Sequence, residues 1–290
     1  MRQDKARDTS EVNNDVNTIS SEHPLTLAAV QMNSTSVLEE NLVSARAFID
    51  EACAGGADII ALPENFSLMS ETREQRWDAA DRVSEVEAML SAAAHENGVV
   101  IIGGSTPLPA PDGRVTNTCL VFDESGQRIG RYDKIHLFDV SVSSAESYCE
   151  SRHIAPGESP LALSALGLMM GITICYDMRF PELYRQLAEA GAELFSVPSA
   201  FTVPTGRAHW HTLLRARAIE NLAWVIAPAQ VGEHPSGRRT FGHSLIIDPW
   251  GEIVAERAAG TGVIFARLNR DNAAQRRRQF PALAHRVLKG

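Results

Sequence analysis

Long hydrophobic runs are missing from this 290-residue chain. No apolar stretch approaches the ~18 residues needed to cross a bilayer, so no membrane partner is expected. An excess of positive charge is missing as well. Lys and Arg number 27 against 36 Asp and Glu, a net charge of -9, whereas a general nucleic-acid binder usually presents a basic domain. Arg276–Arg277–Arg278 is the one basic cluster and reads as a solvated helix face. Cysteine is scarce: Cys53, Cys119, Cys149 and Cys175, with no C-x-x-C pair among them. No signal peptide precedes them, so free thiols in a reducing cytoplasm are expected rather than a disulfide framework. There is no long internal repeat and no low-complexity tract.

What remains is 44% hydrophobic and 22% charged, ordinary for a globular protein. Residues 1–24 are polar and mixed in charge with almost no large apolar side chains, which reads as a disordered tail. Asp4, Asp8, Glu11 and Asp15 weigh against a mitochondrial transit peptide. From Leu25 onward strand and helix patterns alternate, with one long helix expected near 72–96 and hairpins around D-E-S-G and D-P-W-G. No shift of composition breaks the run, so residues 25–290 read as one α/β domain with mixed sheets.

Three strand ends carry ionisable side chains. Glu64 closes A-D-I-I-A-L-P-E, Lys134 closes R-I-G-R-Y-D-K and Cys175 closes L-M-M-G-I-T-I-C. Ligands of α/β sheets gather at the carboxyl ends of strands, so these residues supply one cleft with a nucleophile, a base and a cation. Cysteine attacks as the thiolate. A helix start beyond Cys175 and a neighbouring lysine both favour that form. Glu64 can take the thiol proton and pass it to a leaving amine, help worth about 10²–10⁴ in rate. Lys134 and the backbone N–H after the nucleophile can hold a developing oxyanion, where losing one donor costs about 10²–10³. These parts suit acyl transfer from an amide or nitrile through a thioester. Each residue alone also has an ordinary reading: Cys175 as core filler, Glu64 as a cap, Lys134 as a solvated strand end.

The segments P-E-N-F at 63–66, Y-D-K-I-H-L-F-D at 132–139 and C-Y-D-M-R-F-P-E-L-Y at 175–184 together resemble, in order and spacing, the three signatures of the nitrilase, or carbon–nitrogen hydrolase, superfamily. The resemblance spans residues 25–290. It implies a four-layer α-β-β-α sandwich with two sheets between two pairs of helices. It implies a Glu-Lys-Cys triad at Glu64, Lys134 and Cys175, and a second active-site glutamate at Glu150. It also implies no metal, no organic cofactor, and homodimers formed through helices near the nucleophile. The Tyr176 N–H would join Lys134 as an oxyanion donor, with Asp177 and Arg179 stabilising the turn or Arg179 meeting a substrate carboxylate. Thr202, Thr205 and Arg207 stand as further candidates for substrate contact.

The segments F-T-V-P-T-G-R-A-H-W at 201–210, L-L-R-A-R-A-I-E-N at 213–221, A-Q-V-G at 229–232 and G-H-S-L-I-I-D-P-W-G at 242–251 resemble the amidase branch that hydrolyses deaminated glutathione, with omega-amidase, acting on 2-oxoglutaramate, as its near relative. The loop V-S-V-S-S-A at 140–145 departs from the Pro-Gly more usual there. The expected reaction is hydrolysis of a terminal amide on a small carboxylate-bearing metabolite, giving carboxylate and ammonia through a thioester. N-carbamoyl hydrolysis, acyl transfer and a non-catalytic binding role remain as alternatives on the same fold. His209-x-His211 lies in a helical pattern, where i and i+2 do not share a face, so no metal site is expected there. A Cys–His pair through His136 or His209 lacks a local signature, and His136 more simply orders the loop after Lys134.

Overall fold

Strand Leu25–Gln31 shows how the layers arise. Successive side chains of a strand point to opposite faces, and in L-T-L-A-A-V-Q both faces carry apolar residues, the pattern of a strand covered on both sides. Leu27 and Ala29 join one buried cluster with Ile59, Val100, Met170 and Ile172. Ala28 and Val30 join another with Ala45, Ile49, Val86 and Leu90.

The computed structural model describes residues 24–141 and 147–288. Residues 1–23 of the expected N-terminal tail and residues 142–145 of the atypical loop lie outside them. The first sheet has eight strands. Its path runs Gly262–Leu268, Leu25–Gln31, Ile59–Ala61, Val100–Ile102, Val115–Phe122, Thr106–Pro109, and Arg128–Asp133 and Ile154–Ala155 also pair with Val115–Phe122. The second has six strands, in the order Leu161–Ala165, Leu168–Ile172, Leu194–Ser196, Trp224–Ala227, Ser244–Ile247, Ile253–Arg257. Strands that follow a helix run parallel to the preceding strand, as Ile59–Ala61 does to Leu25–Gln31, and both expected hairpins are antiparallel.

Six α-helices are described: α1 (Leu38–Ala54), α2 (Arg73–Asp81), α3 (Val83–Asn97), α4 (Pro181–Glu189), α5 (Val203–Asn221) and α6 (Arg270–Gln279). α1 and α3 supply Ala45, Ile49, Val86 and Leu90 to the outer face of the first sheet. α4 and α5 supply Leu183, Leu187, Trp210 and Leu214 to the second. This is the α-β-β-α sandwich expected. The single helix expected near 72–96 is instead two, broken at Arg82. Arg82 closes α2 and opens α3 at φ -99° and ψ 17°, off regular helical geometry. α2 therefore leaves the line of α3, with its N-terminus fixed by a reciprocal cap between Thr72 and Gln75.

Candidate active site

Cys175 follows strand Leu168–Ile172 and opens a short 3₁₀ turn, Cys175–Arg179, that leads into α4. Its φ is +49°, in the left-handed region, which costs a non-glycine residue about 1–2 kcal/mol. The surroundings hold it there. Its N–H donates to the Pro198 carbonyl at 2.9 Å. Two residues on, the buried Asp177 carboxylate accepts from the Ile174 N–H at 2.8 Å, the Tyr132 hydroxyl at 2.7 Å and the His136 N–H at 3.1 Å, and it meets His136 Nδ1 at 2.7 Å. The His136 ring stacks on Phe180 at 3.6 Å. The segment after Lys134 and the turn after Cys175 are thereby joined, as expected of Asp177 and His136.

Lys134 lies one residue beyond strand Arg128–Asp133, and its side chain is 1% exposed. Its ammonium donates to Glu64 at 2.8 Å and to both oxygens of Glu150 at 3.0 and 3.1 Å. Glu64 is also buried. It accepts from Asn117 Nδ2 at 3.0 Å and from the Ala200 N–H at 2.8 Å, and it lines the same cavity as Cys175. Glu150 takes the Phe138 N–H at 2.7 Å and a longer bond from Asn117.

These contacts set the charge states. Burial raises the Glu64 carboxyl, but the Lys134 charge and the bonds from Lys134 and Cys175 more than reverse it, so the group titrates below the ordinary range. Burial opposes the Lys134 charge, and Glu150 and Glu64 outweigh it and hold the ammonium above its usual value. Burial, then the Glu64 charge, push the Cys175 thiol well up, and Lys134 offsets only part. The expectation of a thiol poised to ionise is therefore corrected. The resting group is the neutral thiol, because the helix start and one lysine do not overcome desolvation and an adjacent carboxylate.

A single cavity of about 290 Å³ is lined by Glu64, Lys134, Glu150, Cys175, Tyr176, Thr202 and Thr205 among others. Thr202 and Thr205 bond to each other through their hydroxyls at 2.8 Å at the start of α5. Two sequence candidates are elsewhere. Arg179 turns toward His209, at 3.3 Å, and packs over the rings of Tyr176 and Phe201. Arg207 is exposed and does not line the cavity. The cations that do line it, besides Lys134, are Arg76 and Arg238. Neither was singled out from sequence, nor were Asn117, Ala200 and Gln230, whose side-chain amide donates to the Glu64 carbonyl at 3.1 Å. Asn117 had a usable signal: it is a polar residue inside V-T-N-T-C-L-V-F, a strand buried at every position, where a polar side chain needs partners. His211 is parted from His209. It shares the Glu256 carboxylate with His243, their donor atoms lying within 4.8 Å of one another, and none of the three lines the cavity.

A two-sheet sandwich that brings a thiol, a carboxylate and a buried ammonium to one cleft defines a hydrolase of carbon–nitrogen bonds other than peptide bonds. The chain belongs to the carbon-nitrogen hydrolase family, whose model matches residues 26–278. It is 43% identical to the deaminated glutathione amidase of Synechocystis sp. over 91% of this chain and 98% of that one. It is 34% identical to the omega-amidase of Homo sapiens over 88% and 92%. The C. elegans NitFhit protein superposes with a TM-score of 0.86 at 33% identity over 91% of this chain, which spans 65% of that longer one.

Proposed function

We propose that the chain is a cysteine-dependent amidase acting on deaminated glutathione, with Cys175 as nucleophile, Glu64 as general base and acid, and Lys134 and the Tyr176 N–H as oxyanion donors. The observation that carries the reading is Glu64, one carboxylate on the same cavity as Cys175 and bonded to Lys134. It is held ionised beside a thiol held neutral. Such a pair passes its proton only as sulfur bonds to the substrate carbonyl. Glu64 then gives that proton to the departing nitrogen, the C–N bond breaks, and an acyl thioester remains on Cys175. Glu64 next takes a proton from water as it attacks the thioester, and the thiol returns as the carboxylate product leaves. Glu150 acts as a positioning residue that shares Lys134 with Glu64. Thr202 and Thr205 border the acyl group.

From a terminal amide such as 2-oxoglutaramate the nitrogen leaves as ammonia. From deaminated glutathione, where the bond is a secondary amide, it leaves as the amine of cysteinylglycine. Both release 2-oxoglutarate. The reading includes a homodimeric, cytoplasmic enzyme whose catalytic domain is residues 25–290. Supporting it, the four cysteines are free, and no helix among the described residues is long and apolar enough to cross a membrane.

The test is 2-oxoglutarate release from both compounds side by side, with Cys175→Ala as control. Faster turnover of deaminated glutathione, abolished in the variant, is expected. Preference for 2-oxoglutaramate moves the chain to the omega-amidase reading that its 34% identical relative favours. Turnover retained by Cys175→Ala sinks the scheme.

A further inference from the structure

The catalytic cluster does not use all the charge in the cavity. Three cations line it, Lys134, Arg76 and Arg238, against two carboxylates, Glu64 and Glu150. Both carboxylates are already shared with Lys134 and Asn117. Arg76 is half-buried on α2 and makes no hydrogen bond or ion pair among the described residues. Arg238 gives one Nη to the Ala200 carbonyl and packs over Tyr148, and its buried Nε has no partner.

Local structure fixes both groups. The Thr72–Gln75 cap sets the start of α2 at Arg73, within one turn of Arg76. Arg238 ends the turn H-P-S-G-R, where Gly237 at φ +78° lets the chain reverse and the His234 N–H closes onto the Arg238 carbonyl at 2.9 Å. Desolvated cations without a counter-charge are costly. Two of them on one cavity, in a chain of net charge -9, form a local positive field that favours an anion. Burial and the Arg238 charge both work against the charge of Arg76, and only Glu150 supports it.

We infer that Arg76 and Arg238 form an anion subsite that holds a carboxylate of the amide substrate away from the scissile bond. The inference rests on the amidase reading for the identity of that substrate. Deaminated glutathione carries a carboxylate at each end, one on the 2-oxo acid and one on the glycine. Arg238 reaches Ala200, whose N–H holds Glu64. An anion seated there is therefore tied to the wall of the catalytic pocket. The guanidinium plane suits bidentate carboxylate recognition.

Alkylation of Cys175 tests the subsite without assuming a substrate. Rates for anionic iodoacetate and neutral iodoacetamide are read by mass spectrometry and compared with free cysteine. The wild type is expected to favour iodoacetate relative to free cysteine. Arg76→Gln should lower that ratio about 10-fold, the worth of one charge-assisted hydrogen bond, and Arg76→Lys should restore part of it. A ratio unchanged by Arg76→Gln and Arg238→Gln overturns the subsite, whereas a folding defect slows both reagents alike. Turnover then identifies the end that is held. Loss confined to deaminated glutathione over its glycine carboxamide assigns the glycine carboxylate. An added loss on 2-oxoglutaramate assigns the 2-oxo acid. If the wild type releases 2-oxoglutarate from none of the three, the substrate reading fails while the alkylation ratio still decides the subsite.

Discussion

Replacing Glu150 by glutamine removes one of the two negative charges that hold Lys134. At 3.0 Å, unit charges in a medium of effective dielectric near 20 attract by about 5.5 kcal/mol. Glu150 is 19% exposed, and Glu64 still faces the ammonium, so the net loss is closer to the ~1.5–3 kcal/mol of a hydrogen bond to a charged group. A glutamine oxygen can still accept the Phe138 N–H, which leaves the local chain path in place. The sign follows from the raised Lys134 pKa. Its stabilising charge is fully present below the ordinary lysine value and is lost only as pH rises through the elevated one. Without Glu150 that loss comes about one to two pH units lower. The expected result in 2-oxoglutarate release is a kcat lower by about 10²-fold at neutral pH, since Lys134, the proposed oxyanion donor, is less firmly placed. A folded variant with kcat within about threefold of wild type would refute this account of Lys134.

Two further outcomes follow from the same geometry. The neutral resting thiol predicts no thiolate absorbance near 240 nm at pH 7 in the wild type minus Cys175→Ser difference spectrum; a full thiolate signal there contradicts the charge states above. Gly104 sits at φ +53°, and a Cβ on it would lie 2.1 Å from the Pro63 carbonyl, beside Glu64. Gly104→Ala is therefore expected to cost about 2–3 kcal/mol and to lower kcat by displacing the Glu64 loop, measured by denaturant unfolding and turnover. An unaltered midpoint would show that the loop yields freely.

Much of the fold was legible because strands buried on both faces write continuous apolar runs, as in A-D-I-I-A-L and W-V-I-A-P-A. The break at Arg82 left no mark in the sequence: Ala79 and Val86 keep helical spacing across it, and no glycine or proline stands there. Glu64 and Cys175 were legible because each closes such a run, and Lys134 because it follows the half-exposed strand R-I-G-R-Y-D. Arg76 and Arg238 were not, since a lone arginine on a polar helix or in a turn looks solvated until tertiary packing brings the two together. Arg179 misled for the opposite reason. It closes the short segment that Cys175 opens, yet the 3₁₀ turn carries it around to His209.

In the proposed mechanism the charge arrangement lets Glu64 serve both half-reactions. Lys134 carries one positive charge between two carboxylates, so the cluster is negative while the thiol keeps its proton. Ionising Cys175 alone would add a second uncompensated negative charge in a buried space, which is why its thiol titrates so high. Attack moves the new charge from sulfur onto the substrate oxygen, beside the ammonium, as the thiol proton neutralises Glu64. The negative charge is relocated rather than increased, and water attack on the thioester repeats the same exchange through the same carboxylate. An anionic substrate entering this cluster meets like charge at the reacting centre. Arg76 and Arg238 supply the opposite sign on the same cavity, so the group that makes the substrate hard to admit becomes the group by which it is held.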